Sequence, residues 1–286
     1  MRTFIQAVLL VSVLVASGYA ADLRLPAQAV AGTAVSIQTS GSGNATFYLV
    51  GPAARIKRKV QLGESIKLQP EEVRQAGRYL AVLRSSDGES AKAFFVSPAE
   101  PVNINFLAQP SRVPAAKRGV ITGTAFVLDR FDNLVLAPQP VKFELSVGES
   151  APVTRTVTSR DGVAWTRMDS GRRAGAAQFV VSSGEASVRR VVQQVAADPC
   201  NLRMRAERGK EGIVVETDPV RDCAGNPVPD GTIVTFTATD PRGKSTVDAR
   251  VKKGIARAEF PPASTATITV ASGVVMGNEI HWGGGR

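Results

Sequence analysis

Apolar and polar residues alternate without a break through Val141-Lys-Phe-Glu-Leu-Ser-Val147, which predicts a strand with one buried face. The same period-two stripe recurs in Ala177, Phe179 and Val181, in Val234, Phe236 and Ala238, and in Ala266, Ile268 and Val270. Nearer the N-terminus it is carried by Val35 and Ile37 and by Phe47 and Leu49, and the apolar run Tyr79–Leu83 reads as a further strand. Turn signals separate these stretches: Asp161-Gly162, Ser183-Gly184, Asp230-Gly231 and Pro241-Arg-Gly243. Past the first twenty residues no segment holds a helical apolar period for three turns. The pattern predicts an all-β chain of antiparallel, immunoglobulin-like sandwiches.

The chain also repeats itself. Asp129, Asn133, Val141 and Phe143 recur as Asp222, Asn226, Val234 and Phe236, each 93 residues later. Gly162-Val163-Ala164 returns as Gly254-Ile255-Ala256, and Ser183-Gly184 as Ser272-Gly273. A register kept this closely over fifty residues predicts two homologous domains, 102–195 and 200–282. A more divergent sandwich is predicted over 21–98. In it Pro70-Glu-Glu-Val-Arg-Gln-Ala-Gly77 reads as one helical turn with acidic residues at its start, and Tyr79 follows on a strand, the arrangement of a tyrosine corner. Pro98 and Pro101 stiffen the link to the second domain, and Ala196-Ala-Asp-Pro199 links the second to the third.

The segment Asp222-Cys-Ala-Gly-Asn226-Pro-Val-Pro-Asp-Gly231-Thr-Ile-Val-Thr-Phe236, with Gly254-Ile-Ala256 beyond it, resembles the bacterial immunoglobulin-like domains of the invasin and intimin family. The second repeat carries a weaker version in Asp129, Asn133, Phe143 and Gly162-Val-Ala164, without the Gly-Asn-Pro turn, and the first domain is only generically immunoglobulin-like. The resemblance implies stalk and spacer modules of surface adhesins. Its marker residues shape a turn and fill a core, so they identify a fold and no active site.

Before the first strand, Arg2, the apolar run Phe4–Ala16 and Gly18-Tyr19-Ala20 read as an export signal, residues 1–20, with Ala21 as the first mature residue. The apolar run is shorter than the roughly 20 residues of a membrane span, so no transmembrane anchor is expected, and residues 283–286 read as a flexible tail. The expected location is periplasmic, secreted or cell-surface associated. Export makes a disulfide between Cys200 and Cys223 the expected state of the two cysteines, closing a ring of 24 residues.

Composition narrows the chemistry. One histidine, His281, and two cysteines exclude most histidine catalysis and any thiolate zinc site. The acids are scattered through turns, so no enzyme and no cofactor are expected. Asp129, Asp132 and Asn133 suggest a calcium site as an alternative to a turn that satisfies its own backbone; the second copy has Gly225 in place of Asp132, which favours the turn. The net charge of +10 becomes +9 without the leader and favours acidic partners, while export argues against nucleic acid. Arg55, Lys57 and Lys59 on one strand face, Arg172 and Arg173, and Arg130 beside Phe131 are the candidate partner contacts, with Phe131 read as an aromatic on an interaction tip. Trp165 is expected in the core. The function these features suggest is a non-catalytic structural or protein-interaction module. The alternative is binding of anionic polysaccharide, for which two Trp and three Tyr are a thin stacking inventory.

Overall fold

The computed structural model describes residues 21–86 and 88–283. The predicted leader, residues 1–20, and Gly284–Arg286 of the predicted tail lie outside the described residues. The chain divides into two compact units, one running up to Pro101 and including Asp129–Val135, the other formed by Val102–Leu128 and Leu136 onward. Regular structure among the described residues is strand, apart from one 3-10 turn, Pro70–Val73.

The first unit holds β1 (Asp22–Arg24), β2 (Ala29–Val30), β3 (Val35–Ser40), β4 (Asn44–Val50), β5 (Arg55–Gln61), β6 (Ser65–Leu68), β7 (Gly77–Ser85) and β8 (Gly88–Ser97). They form a three-stranded sheet β1-β3-β6 and a five-stranded sheet β2-β8-β7-β4-β5. Ile37, Phe47, Leu49 and Leu83 are wholly buried between them, as their alternation requires. Tyr79 completes the corner: its hydroxyl donates to Gln75 O at 2.9 Å and its ring stacks on Phe94 with centroids 5.5 Å apart. Of the acidic pair ahead of it, Glu72 is structural. Glu72 Oε2 accepts from Gln69 N–H and its other oxygen pairs with Arg58.

The second unit holds two sandwiches. One is built of β9 (Asn103–Gln109), β10 (Arg112–Pro114), β11 (Ile121–Leu128), β12 (Pro140–Val147), β13 (Val153–Thr158), β14 (Val163–Met168), β15 (Gly175–Ser183) and β16 (Ala186–Val195). Its sheets are β14-β11-β9 and β10-β16-β15-β12-β13. The other is built of β17 (Pro199–Cys200), β18 (Met204–Arg208), β19 (Ile213–Thr217), β20 (Arg221–Asp222), β21 (Ile233–Asp240), β22 (Gly243–Arg250), β23 (Arg257–Phe260), β24 (Ala266–Ser272) and β25 (Val275–Trp282). Its sheets run β18-β19-β23 and β22-β21-β24-β25, with the pair β17-β20 beside them. The stripes read from the sequence are the ones that meet: Phe143 pairs with Val181 across β12 and β15, and Phe236 with Val270 across β21 and β24. Phe106, Phe143 and Phe179 form an aromatic cluster with centroids 5.0–6.1 Å apart in the second sandwich. The pairing is antiparallel except at β2 with β8 and β10 with β16, where a short early strand crosses to the opposite sheet and runs beside the last strand.

Gly162 and Gly254 have one shared cause. Asp161 and Gly162 both have positive φ, at 49° and 80°, and Lys253 and Gly254 repeat this at 52° and 83°. Two left-handed residues in succession make a tight hairpin turn that only glycine enters without cost at its second position. In each copy the glycine carbonyl then accepts from a neighbouring segment, Val127 N–H or Val220 N–H, at 2.8 Å.

Among the described residues one buried polar side chain lacks hydrogen-bond partners. Gln194 on β16 is wholly buried, and neither amide atom has a hydrogen-bond partner among the described residues. Replacing it with Met, which fills similar volume without a polar group, is expected to raise the unfolding free energy by about 1–2 kcal/mol. Urea denaturation measures this; a lower midpoint would show that the amide is satisfied in solution.

Candidate functional site

The residues that carry the family resemblance build one device twice. In the first copy Asp129 N–H donates to Asn133 O, and Asp132 N–H closes the turn on Asp129 O. In the second, Asp222 N–H donates to Asn226 O, and Gly225 N–H closes on Asp222 O. Asp132 has φ 62° and Gly225 φ 90°, so this position demands the left-handed region, which Asp and Gly both tolerate. Backbone conformation explains why an aspartate stands there in one copy and a glycine in the other.

The two buried carboxylates are held identically. Asp129 Oδ1 accepts from Phe131 N–H at 2.8 Å and Asn133 N–H at 3.0 Å, and Oδ2 from Ala99 N–H and Asn133 Nδ2 at 2.9 Å each. Asp222 Oδ1 accepts from Ala224 and Asn226 N–H, and Oδ2 from Ala197 N–H and Asn226 Nδ2, all at 2.8–3.0 Å. Burial pushes both carboxyls up, but the four donors outweigh it and hold each below the ordinary carboxylate value. Four N–H donors thus satisfy each carboxylate within the protein, as a turn that satisfies its own backbone requires.

Each asparagine reaches further along the chain. Within the first unit Asn133 Nδ2 donates to Arg74 O at 2.9 Å and its Oδ1 accepts from Ala76 N–H at 2.8 Å. Within the second, Asn226 Nδ2 donates to Arg172 O at 2.7 Å and its Oδ1 accepts from Ala174 N–H at 2.9 Å. The turn therefore satisfies the segment just before a strand of the neighbouring sandwich, β7 or β15, as well as its own backbone. Sequence reasoning found the turn and missed this second task, since nothing in a linear register says which distant backbone an amide meets.

The candidate partner contacts fall into two groups. Arg55, Lys57 and Lys59 are exposed along β5, the edge of its five-stranded sheet, where cations discourage pairing with another strand; Lys57 Nζ stands 5.7 Å over the Tyr48 ring. Arg172 and Arg173 are exposed on the loop before β15. Phe131 differs from its expected role. It is half-buried and packs against the first core, so close to Gly32 that a Cβ there would lie 2.2 Å from the ring, and exposed Arg130 covers it at 4.7 Å. Trp165 is a second correction: its side chain is 60% exposed because Ala164 and Thr166 occupy the inward positions of β14. It shares a row with Thr124 and Leu107 on the outer face of its sheet. His281 lies on β25 beside Glu279 at 3.3 Å and half-buried Thr267 at 3.3 Å, with His281 and Glu279 exposed. Among the described residues no three His, Cys, Asp or Glu side chains cluster as metal ligands, and no helix is long and apolar enough to cross a membrane.

The architecture has counterparts among solved structures. FdeC, described as a broadly conserved Escherichia coli adhesin eliciting protection against urinary tract infections, is 15% identical with a TM-score of 0.62, over 92% of this chain and 96% of that one. InvD of Yersinia pseudotuberculosis is 12% identical with a TM-score of 0.51, over 92% and 96%. Invasin, described as a bacterial integrin-binding protein, is 13% identical with a TM-score of 0.51; the match covers 90% of this chain and 58% of invasin. No protein-family model and no curated protein sequence matches. The chain thus has the tandem immunoglobulin-like fold of the invasin-type bacterial proteins that its repeats resemble.

Proposed function

We propose that the chain is a non-catalytic, exported interaction module of a bacterial envelope, which binds a protein partner at or beyond the cell surface. The observation that carries this reading is the fate of its polar residues. The repeated Asp, Asn and Gly positions are absorbed in turns and backbone hydrogen bonds, while Arg55, Lys57, Lys59, Arg172 and Arg173 remain on the surface. The tandem fold shared with FdeC, InvD and invasin supports an adhesin-like role. The division into 21–98, 102–195 and 200–282, and the removal of residues 1–20, belong to the same proposal.

The test is a pull-down from the native host's envelope with the tagged mature chain as bait, at low and high salt. One defined protein retained at high salt is the expected result. Recovery of acidic glycans alone, lost as salt screens the charge, would replace the protein reading with binding of anionic polysaccharide.

A further inference from the structure

The second and third sandwiches carry the same groove at the same place, and they differ in one telling residue. In the third it lies between the β21–β22 hairpin and the connection after β23, about 240 Å³ in volume, with Ala238 and Phe260 in its wall. In the second it lies between the β12–β13 hairpin and the connection after β14, about 430 Å³, with Leu145 and Met168 at the matching positions. The strand pairings confirm the match: Leu145 opposes Val153 as Ala238 opposes Ser245.

The third sandwich closes its groove with its own ion pair. Asp240, at the end of β21, receives the Arg242 guanidinium at 2.9 and 3.1 Å, and the same guanidinium donates across to Pro262 O at 2.8 Å. In the second sandwich the position of Asp240 is Val147. Three arginines, Arg155, Arg172 and Arg173, line that groove, all exposed, and none forms an ion pair among the described residues. The one carboxylate in the lining, Asp169, already accepts from Gly119 N–H at 2.7 Å. The buried, unpaired Gln194 amide lies just beneath, 3.4 Å from where a Cβ on Gly171 of the groove wall would stand.

We infer that the groove of the second sandwich is a docking site for an acidic, apolar-flanked peptide segment of the protein partner, whose carboxylate takes the place that Asp240 fills internally in the third. Three unpaired arginines against one carboxylate, over an apolar floor, suit a peptide that presents Asp or Glu beside Leu, Val or Ile. The floor is aliphatic and thioether, with no aromatic face on which a sugar ring would stack, which sets a polysaccharide apart as the losing alternative. The inference rests on the protein-interaction reading and adds the place and chemistry of contact.

The test uses the full mature chain with labelled methyl groups and three probes: a peptide of alternating Asp and Leu, one of alternating Asp and Ser with equal charge, and a heparin oligosaccharide. The expected result is that the Asp-Leu peptide alone shifts the Leu145, Val147 and Met168 methyl resonances, and that Arg172→Glu with Arg173→Glu weakens it about tenfold or more. Val147→Asp, which installs the missing internal carboxylate on a half-buried surface position, is expected to abolish binding while the remaining methyl spectrum keeps its dispersion. Equal binding of the Asp-Ser peptide, shifts at these methyls from the oligosaccharide, no shifts from any probe, or unchanged binding by Val147→Asp would each overturn the groove. An envelope protein that still binds the Val147→Asp chain at high salt would leave the protein-interaction reading standing and remove this site from it.

Discussion

Asp222→Ala is expected to lower the stability of the third sandwich by about 3–5 kcal/mol. The side chain is 4% exposed and its oxygens answer four donors, three of them backbone N–H groups of Ala197, Ala224 and Asn226. Removing the carboxylate leaves the two Asn226 donors buried without partners, each worth about 1–3 kcal/mol, and those of Ala197 and Ala224 part-buried; the losses overlap because they share one turn. Asn226 also loses the bond that orients its amide, so its contacts to Arg172 O and Ala174 N–H weaken with it. Calorimetry is expected to show the transition of the third sandwich at lower temperature and separated from that of the second. An unchanged, single transition would show that the turn does not couple them.

The same carboxylates predict the response to acid. Asp129 and Asp222 are held below their ordinary value in the folded chain, so the unfolded chain binds more protons in that range. Their contribution is complete above a pH of about 4 and is lost as pH falls through the folded values. Urea midpoints measured between about pH 5 and pH 2 are therefore expected to fall more steeply for the natural chain than for Asp222→Ala, which has already lost one of the two groups. Parallel curves would contradict the assignment.

The difference between what was legible in the sequence and what was not follows from range. Strand alternation is local, so Val141–Val147 and Val234–Ala238 declared their buried faces, and Asp161-Gly162 declared a hairpin by its need for positive φ. Tyr79 was legible because its corner bond spans four residues. Trp165 was misread because lying on a strand was taken to mean burial, whereas period two, set by Ala164 and Met168, turns it outward. Phe131 was misread because its turn looked like a free tip; what covers its ring lies 99 residues earlier, at Gly32. The asparagine bonds to Arg74 and Arg172 span 59 and 54 residues. The open groove of the second sandwich was equally hidden, since the significance of Val147 appears only when it is set against Asp240 in the homologous place.

Cys200→Ser with Cys223→Ser is expected to cost the third sandwich about 3 kcal/mol in the chain-entropy account of a ring this size. The bond joins residues whose Cα atoms are 4.9 Å apart, and it reinforces the two-residue ladder in which Pro199 opposes Asp222 and Cys200 opposes Arg221. Asp222 thus lies in the ladder and directly precedes the bonded Cys223, so the carboxylate and the disulfide fix the same short segment. Their effects are therefore expected to be coupled. Once the disulfide is gone, the Asp222→Ala change acts on a segment already free to move, and the triple variant is expected to lose less than the two separate losses together, by about 0.5–3 kcal/mol. A double-mutant cycle on the unfolding free energy measures that coupling. Strict additivity would mean that the disulfide acts on the unfolded chain alone and leaves the geometry of the Asp222 turn to its hydrogen bonds.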